Sequence, residues 1–93
     1  MSVYFIANIK IHDQSEYDKY LEKVDSVFSK FKGKYLTVDK NHEVIEGEWN
    51  YSRLGLIEFP DKKSLKKWYN SVEYQEILKY RLSSAECDSI IVG

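Results

Sequence analysis

Ninety-three residues with fourteen Lys and Arg against fifteen Asp and Glu carry a formal charge of −1, which suits one domain with no room for a second core. That balance lacks the basic face that nucleic acid requires, and Lys62, Lys63, Lys66 and Lys67 on one helical stretch fit a solvated outer surface. A lone cysteine, Cys87, excludes an internal disulfide and points to a reducing compartment.

The start of the chain has no basic leader region, small-residue cleavage site or long apolar span, so a cytoplasmic protein without membrane attachment is expected. The unusual feature is the aromatic content, 15% with eight tyrosines. Tyrosine combines an apolar body with a polar tip and suits cores, interfaces and small-molecule pockets alike.

Val3–Ile11 is rich in β-branched and aromatic residues and reads as a strand. Val3, Phe5, Ala7, Ile9 and Ile11 share one face, and Tyr4, Ile6, Asn8 and Lys10 the other. Asp13-Gln14-Ser15-Glu16 has the form of a capping box. Tyr17, Tyr20, Leu21, Val24, Val27, Phe28 and Phe31 then recur every three or four residues, the mark of a helix, with Gly33 as its left-handed cap. Lys34–Asp39 alternates as a strand, and Lys40-Asn41-His42 brings turn chemistry. Val44-Ile45-Glu46 either resumes that strand beyond a bulge or forms a short one of its own, and Gly47–Asn50 reads as a loop. Arg53–Phe59 is the next strand, stopped by Pro60. Asp61 opens a helix carrying Leu65, Trp68, Tyr69 and Val72, and Ser71 offers a break and a fresh N-cap before Tyr74, Ile77, Leu78 and Arg81. Ser89–Val92, short and β-branched, closes the chain as a strand.

The order β-α-β-β-α-β predicts an α+β, ferredoxin-like fold: an antiparallel sheet with two helices on one face and the first and third strands in the middle. Two helices roof one side only, yet both faces of the central strands carry apolar side chains, Leu54 and Leu56 opposing Gly55, Ile57 and Phe59. A second copy packed sheet against sheet would cover the bare side, so a homodimer is expected.

The segments Glu46-Gly47-x-Trp49, Arg53-x-x-x-Ile57-x-Phe59-Pro60 and Trp68-Tyr69-x-Ser71-x-x-Tyr74, with Arg81, resemble those of the domain of unknown function 1330 family. Tyr4-x-Ile6-Ala7 and the Tyr17–Tyr20 helix extend the resemblance over essentially the full length. It implies a dimeric α+β barrel and little chemistry. The catalytic motifs of the wider barrel superfamily, which holds monooxygenases, muconolactone isomerases and haem proteins, do not map cleanly onto this chain. Lys32-Gly33-Lys34 also departs from the Gly-Gly step expected after the first helix.

Among residues that could carry chemistry, Glu58 is the most pointed: a carboxylate near the end of an apolar central strand, either a general base or half of an ion pair with Arg53 or Arg81. Arg53 and Arg81 suit a carboxylate-bearing ligand, or lock a loop or dimer through Glu46 or Asp88. Tyr69 and Tyr74 suit a pocket wall or the core, whereas Trp68 reads as core. Asn8 is a polar group among apolar neighbours and needs partners if enclosed. Ser71 fits a cap better than a nucleophile. His12, beside the first helix cap, is a second acid–base candidate, and His42 lies in a turn. No spacing of His, Cys or acidic residues suits a metal, the glycines are too scattered for a phosphate loop, and no cofactor is expected. The reading is a homodimer binding a small aromatic or carboxylate-bearing molecule in each subunit, through Asn8, Arg53, Glu58, Tyr69 and Tyr74. The alternatives are a cofactor-free isomerase or monooxygenase-like enzyme using Glu58 or His12, and a non-catalytic structural or regulatory dimer.

Overall fold

The computed structural model describes residues 2–93. Its elements run β1 (Val3–Ile11), α1 (Gln14–Lys30), β2 (Lys34–Asp39), β3 (Arg53–Phe59), α2 (Lys62–Tyr69), α3 (Val72–Ser84) and β4 (Ala85–Val92). The antiparallel sheet has the order β2-β3-β1-β4, so the first and third strands are central, as the sequence order predicts. This is the βαββαβ arrangement, with the second helical segment broken into α2 and α3.

The break follows from local chemistry. The Ser71 hydroxyl accepts from the Tyr74 N–H at 3.1 Å and donates to the Trp68 carbonyl at 2.7 Å, ending one helix and starting the next. Asp61 caps α2 through the Ser64 N–H, and Asp13 caps α1 through the Glu16 N–H. Only half of the capping box forms: the Asp13 N–H goes to the Ser84 carbonyl, and Glu16 pairs with Lys19.

Three expectations need correction. The left-handed residue after α1 is Lys32, with φ of 68°, and not Gly33. Gly33 is required for a different reason: a Cβ there would sit 2.9 Å from Phe59 Cζ and 3.0 Å from Phe28 Cδ1, so the chain passes too close to the core for any side chain. No strand forms over 43–46, because the bulge falls earlier, between Tyr35 and Thr37, and 40–52 is loop. β4 starts at Ala85 and not at Ser89, since pairing with the full length of β1 carries the polar run Glu86-Cys87-Asp88 into the sheet.

The alternation on β1 settles the two faces. Val3, Phe5, Ala7 and Ile9 are buried beneath the helices with Ile57, Phe59, Tyr17, Tyr20, Val24, Phe28, Leu65, Trp68, Tyr74, Ile77 and Leu78. Trp68, 0% exposed, is the hub of this core, its ring 4.8 Å from Phe28, 5.2 Å from Phe5 and 4.2 Å from Tyr74. The opposite face carries Tyr4, Ile6, Leu54, Leu56, Ile90 and Val92 in register, with no helix over it.

Candidate functional site

The interior layer between sheet and helices is not uniformly apolar. α1 and α3 each turn phenols inward at helical spacing, Tyr17 and Tyr20 from one and Tyr74 from the other. The Tyr20 and Tyr74 hydroxyls meet at 2.7 Å and link the polar tips of the two helices directly. Arg81 lies two turns beyond Tyr74 on the same face of α3 and is only 4% exposed. One guanidinium nitrogen, Nη2, donates to Tyr74 Oη at a long 3.5 Å, while Nε is buried without a partner.

These groups close the inner end of a chamber of about 30 Å3, whose floor is Ala7, Gly55 and Ile57 and whose walls include Tyr17, Tyr20 and Phe28. Gly55 leaves the floor open, for a Cβ there would meet nothing within 4 Å. Half-buried Leu21, Tyr35 and Arg53 and exposed Val38 form the outer end. The Arg53 guanidinium sits 5.8 Å from the Tyr17 ring centre and that of Arg81 is 5.8 Å from the Tyr20 ring centre.

The surroundings of Arg81 are neutral near pH 7. Burial pushes the Tyr17 hydroxyl up to about 12 and that of Tyr20 well above its ordinary value. Burial likewise raises Tyr74, against the pull of Arg81. Burial also raises the Cys87 thiol, again against the nearby Arg81 guanidinium. The Lys19–Glu16 ion pair and the His42–Asp39 contact are those found among the described residues, and they leave both arginines without a carboxylate.

The sequence candidates are split between three places. Arg53 lines the chamber, and Tyr74 stands one hydrogen bond behind its wall. Tyr69 is half-buried in a separate groove of about 550 Å3 between α2 and β4, with Phe5, Leu65 and Ile91. Asn8 and Glu58 are on the bare face of the sheet, where strand alternation sets them opposite to Arg53. Asn8 Oδ1 is buried with no partner among the described residues. The 40–52 loop covers that end: the Tyr51 hydroxyl donates to Asp88, the strand partner of Asn8. Trp49 and His42 form a hollow with Leu54, the other strand partner of Asn8. Glu58 pairs in register with Tyr4 and Lys34, and the expected ion pairs with Arg53 or Arg81 do not form. Neither arginine is tied to Glu46 or Asp88. His12 is exposed, its backbone N–H bonded to the Ser84 carbonyl, and lies outside the chamber lining.

Tyr17, Tyr20 and Tyr35 belong to the chamber, yet in sequence they look like core positions. The usable signal was Arg81: a charge at the helical spacing of Tyr74, Ile77 and Leu78 must point inward. Among the described residues no cluster of His, Cys, Asp or Glu could hold a metal ion, and no helix is long and apolar enough to cross a membrane.

A family model described as a domain of unknown function (DUF1330) matches residues 2–93. The chain belongs to the DUF1330 family. No curated protein sequence matches it. Among solved structures, this DUF1330 chain superposes on a protein of unknown function from Rhodopseudomonas palustris with a TM-score of 0.83 at 14% identity, over 98% of this chain and 80% of that one. SnoaB, a cofactor-independent oxygenase from Streptomyces nogalater, matches with a TM-score of 0.74 at 10% identity, over 99% and 91% of the two chains. A dimeric ferredoxin-like protein of unknown function from Jannaschia sp. CCS1 matches with 0.73 at 11% identity, over 100% and 99%. At such identities the likeness shows the fold, which is that of dimeric ferredoxin-like proteins.

Proposed function

We propose that this DUF1330 protein is a homodimer in which each subunit binds a small organic molecule in the chamber between the helices and the sheet. The observation that carries the reading is the convergence of three phenols and two guanidiniums, Tyr17, Tyr20, Tyr35, Arg53 and Arg81, on a chamber otherwise lined by apolar side chains. A few polar groups set in an apolar hollow is the usual composition of a small-molecule site. The about 30 Å3 of free space holds only one or two water-sized groups, so a larger ligand enters by parting the outer residues Leu21, Tyr35 and Val38.

The dimer half rests on the bare face. Tyr4, Ile6, Leu54, Leu56, Ile90 and Val92 form a continuous apolar surface on the side without helices, and its natural cover is the same surface of a second copy. Asn8 and Glu58 would then be interface residues. Catalysis by Glu58 or His12 is the weaker reading, since neither faces the chamber. The groove at Tyr69 is a less specific alternative site, with few polar groups to orient a ligand.

Native mass spectrometry of protein from its source tests both halves, with a dimer carrying one small molecule per subunit expected. Gly55→Val supplies the control: it fills the floor of the chamber, in space that is open in the wild type, and should abolish retention while leaving melting temperature and dimer unchanged. A ligand-free dimer, with no thermal shift across a metabolite panel, would favour the structural-dimer alternative.

A further inference from the structure

Among the described residues Arg81 is the one charged side chain that is buried. A guanidinium stays charged at any working pH, and leaving such a charge buried without a counter-charge is strongly unfavourable unless hydrogen bonds satisfy it. Here it has one long bond to a neutral hydroxyl, the face of Tyr20, a neutral thiol at Cys87 and an idle Nε. The carbonyls at the C-terminal end of α3 supply a partial negative charge, since Arg81 lies in its last turn, but they do not occupy Nε. No carboxylate makes an ion pair with Arg81 among the described residues, and Asp25, the carboxylate beside the chamber residue Tyr35, pairs with neither arginine. A second cation, Arg53, lines the same chamber and adds positive charge to it, offset in part by the Asp25 carboxylate beside Tyr35.

We infer that the chamber is an anion site, and that the molecule it takes is an organic acid whose single carboxylate or enolate oxygen docks on Arg81 while its apolar remainder extends past Tyr17 toward Arg53. The inference rests on the small-molecule reading above and specifies the charge of the ligand. The Tyr20–Tyr74 bond fits the assignment. In the free protein one O–H of the pair is used between them and the other is left without an acceptor. An arriving oxyanion accepts from the Arg81 guanidinium and from the Tyr20 O–H, which lines the chamber and is free when Tyr74 donates to Tyr20, so the phenol pair supplies a neutral donor beside the charged one. The free part of the chamber is the size of a head group and not of a ring. It can therefore order the charged end of a ligand first.

A structural arginine and a ligand arginine respond in opposite directions to removal of charge. Arg81→Met keeps the length of the stem and deletes an unpaired buried charge. Thermal melting, together with NMR titration by benzoate, by 4-nitrophenolate at pH 8.5 and by the uncharged isostere benzamide, reads both properties. In the wild type both anions should bind at least tenfold more tightly than benzamide. A preference between the two anions identifies carboxylate or enolate as the head group. In Arg81→Met the melting temperature should rise by about 4 °C or more, and anion binding should fall at least tenfold to the level of benzamide. Arg81→Lys, which keeps the charge but loses the forked geometry, should retain part of the anion preference.

Equal binding of benzoate and benzamide, unchanged in Arg81→Met, would overturn the anion assignment and leave the small-molecule reading standing. Binding of no probe at millimolar concentration would remove both. A melting temperature lowered in both Arg81 variants, with the anion preference kept in Arg81→Lys and Arg81→Met, would make the arginine structural and overturn the proposal.

Discussion

Replacing Tyr74 by Phe removes the oxygen on which the interior polar network turns. That oxygen sits 2.7 Å from the Tyr20 hydroxyl and 3.5 Å from Arg81 Nη2, and all three residues are buried. The variant loses one short buried hydrogen bond, about 1 kcal/mol, and leaves the Tyr20 hydroxyl orphaned at a further cost of about 1–3 kcal/mol. A total of about 2–4 kcal/mol is expected. Tyr20→Phe should cost less, about 1–2 kcal/mol, because the Tyr74 hydroxyl still has the guanidinium as a donor. In the double variant neither phenol is left with an unmade bond, so its cost should fall short of the sum of the singles by about 1–2 kcal/mol. Urea unfolding of all four proteins at one fixed concentration measures this, which holds constant whatever the proposed subunit association would add to apparent stability. Strictly additive singles, or a Tyr74→Phe cost below about 0.5 kcal/mol, would show that the two hydroxyls do not depend on each other and would refute the network.

Other expectations are independent of that pair. Gly33→Ala places a methyl 2.9–3.0 Å from the Phe59 and Phe28 rings, which Trp68 holds in place; a loss of about 1–3 kcal/mol is expected in the denaturant midpoint. Leu56→Glu sets a charge between Ile6 and Thr37 on the bare face; it should weaken self-association by at least about 100-fold in sedimentation, and a variant that stays dimeric at wild-type affinity would disprove the sheet-to-sheet interface. Alkaline unfolding should follow the buried phenols. Their native pKa values lie above the unfolded value of 10, so their stabilisation is complete below about pH 10 and lost as pH rises toward the native value of about 12 at Tyr17. Absorbance of tyrosinate against pH, run beside circular dichroism, should show the buried tyrosines ionising together with loss of structure and not before it.

Much of the fold is legible in the chain because it is local. The spacing of Tyr17, Tyr20, Val24 and Phe28, the caps at Asp13, Asp61 and Ser71, and the alternation of Val3, Phe5, Ala7 and Ile9 are set by neighbours within a few residues. Element order then leaves one topology with β1 and β3 in the middle. The boundaries that failed are those set by contact at a distance. β4 reaches back to Ala85 because β1 offers it a full-length partner, and Gly33 is needed because Phe59, twenty-six residues on, comes against its backbone. Lys32 takes the left-handed turn that local rules assign to the glycine.

The site divides in the same way. Sequence alone determined that Glu58, Asn8, Arg53 and Tyr74 are polar residues on elements with buried faces, because hydrophobic periodicity fixes which positions turn inward or outward within each element. It could not determine which face of which element meets which other. Only the tertiary structure set Arg53 and Arg81 on one chamber, left Glu58 and Asn8 on the far side of the sheet, and moved Tyr69 to a separate groove. Periodicity is a property of a single segment, whereas the absence of a counter-ion at Arg81 is a property of everything packed around it. An unpaired buried charge can be seen only when all of its neighbours are in place.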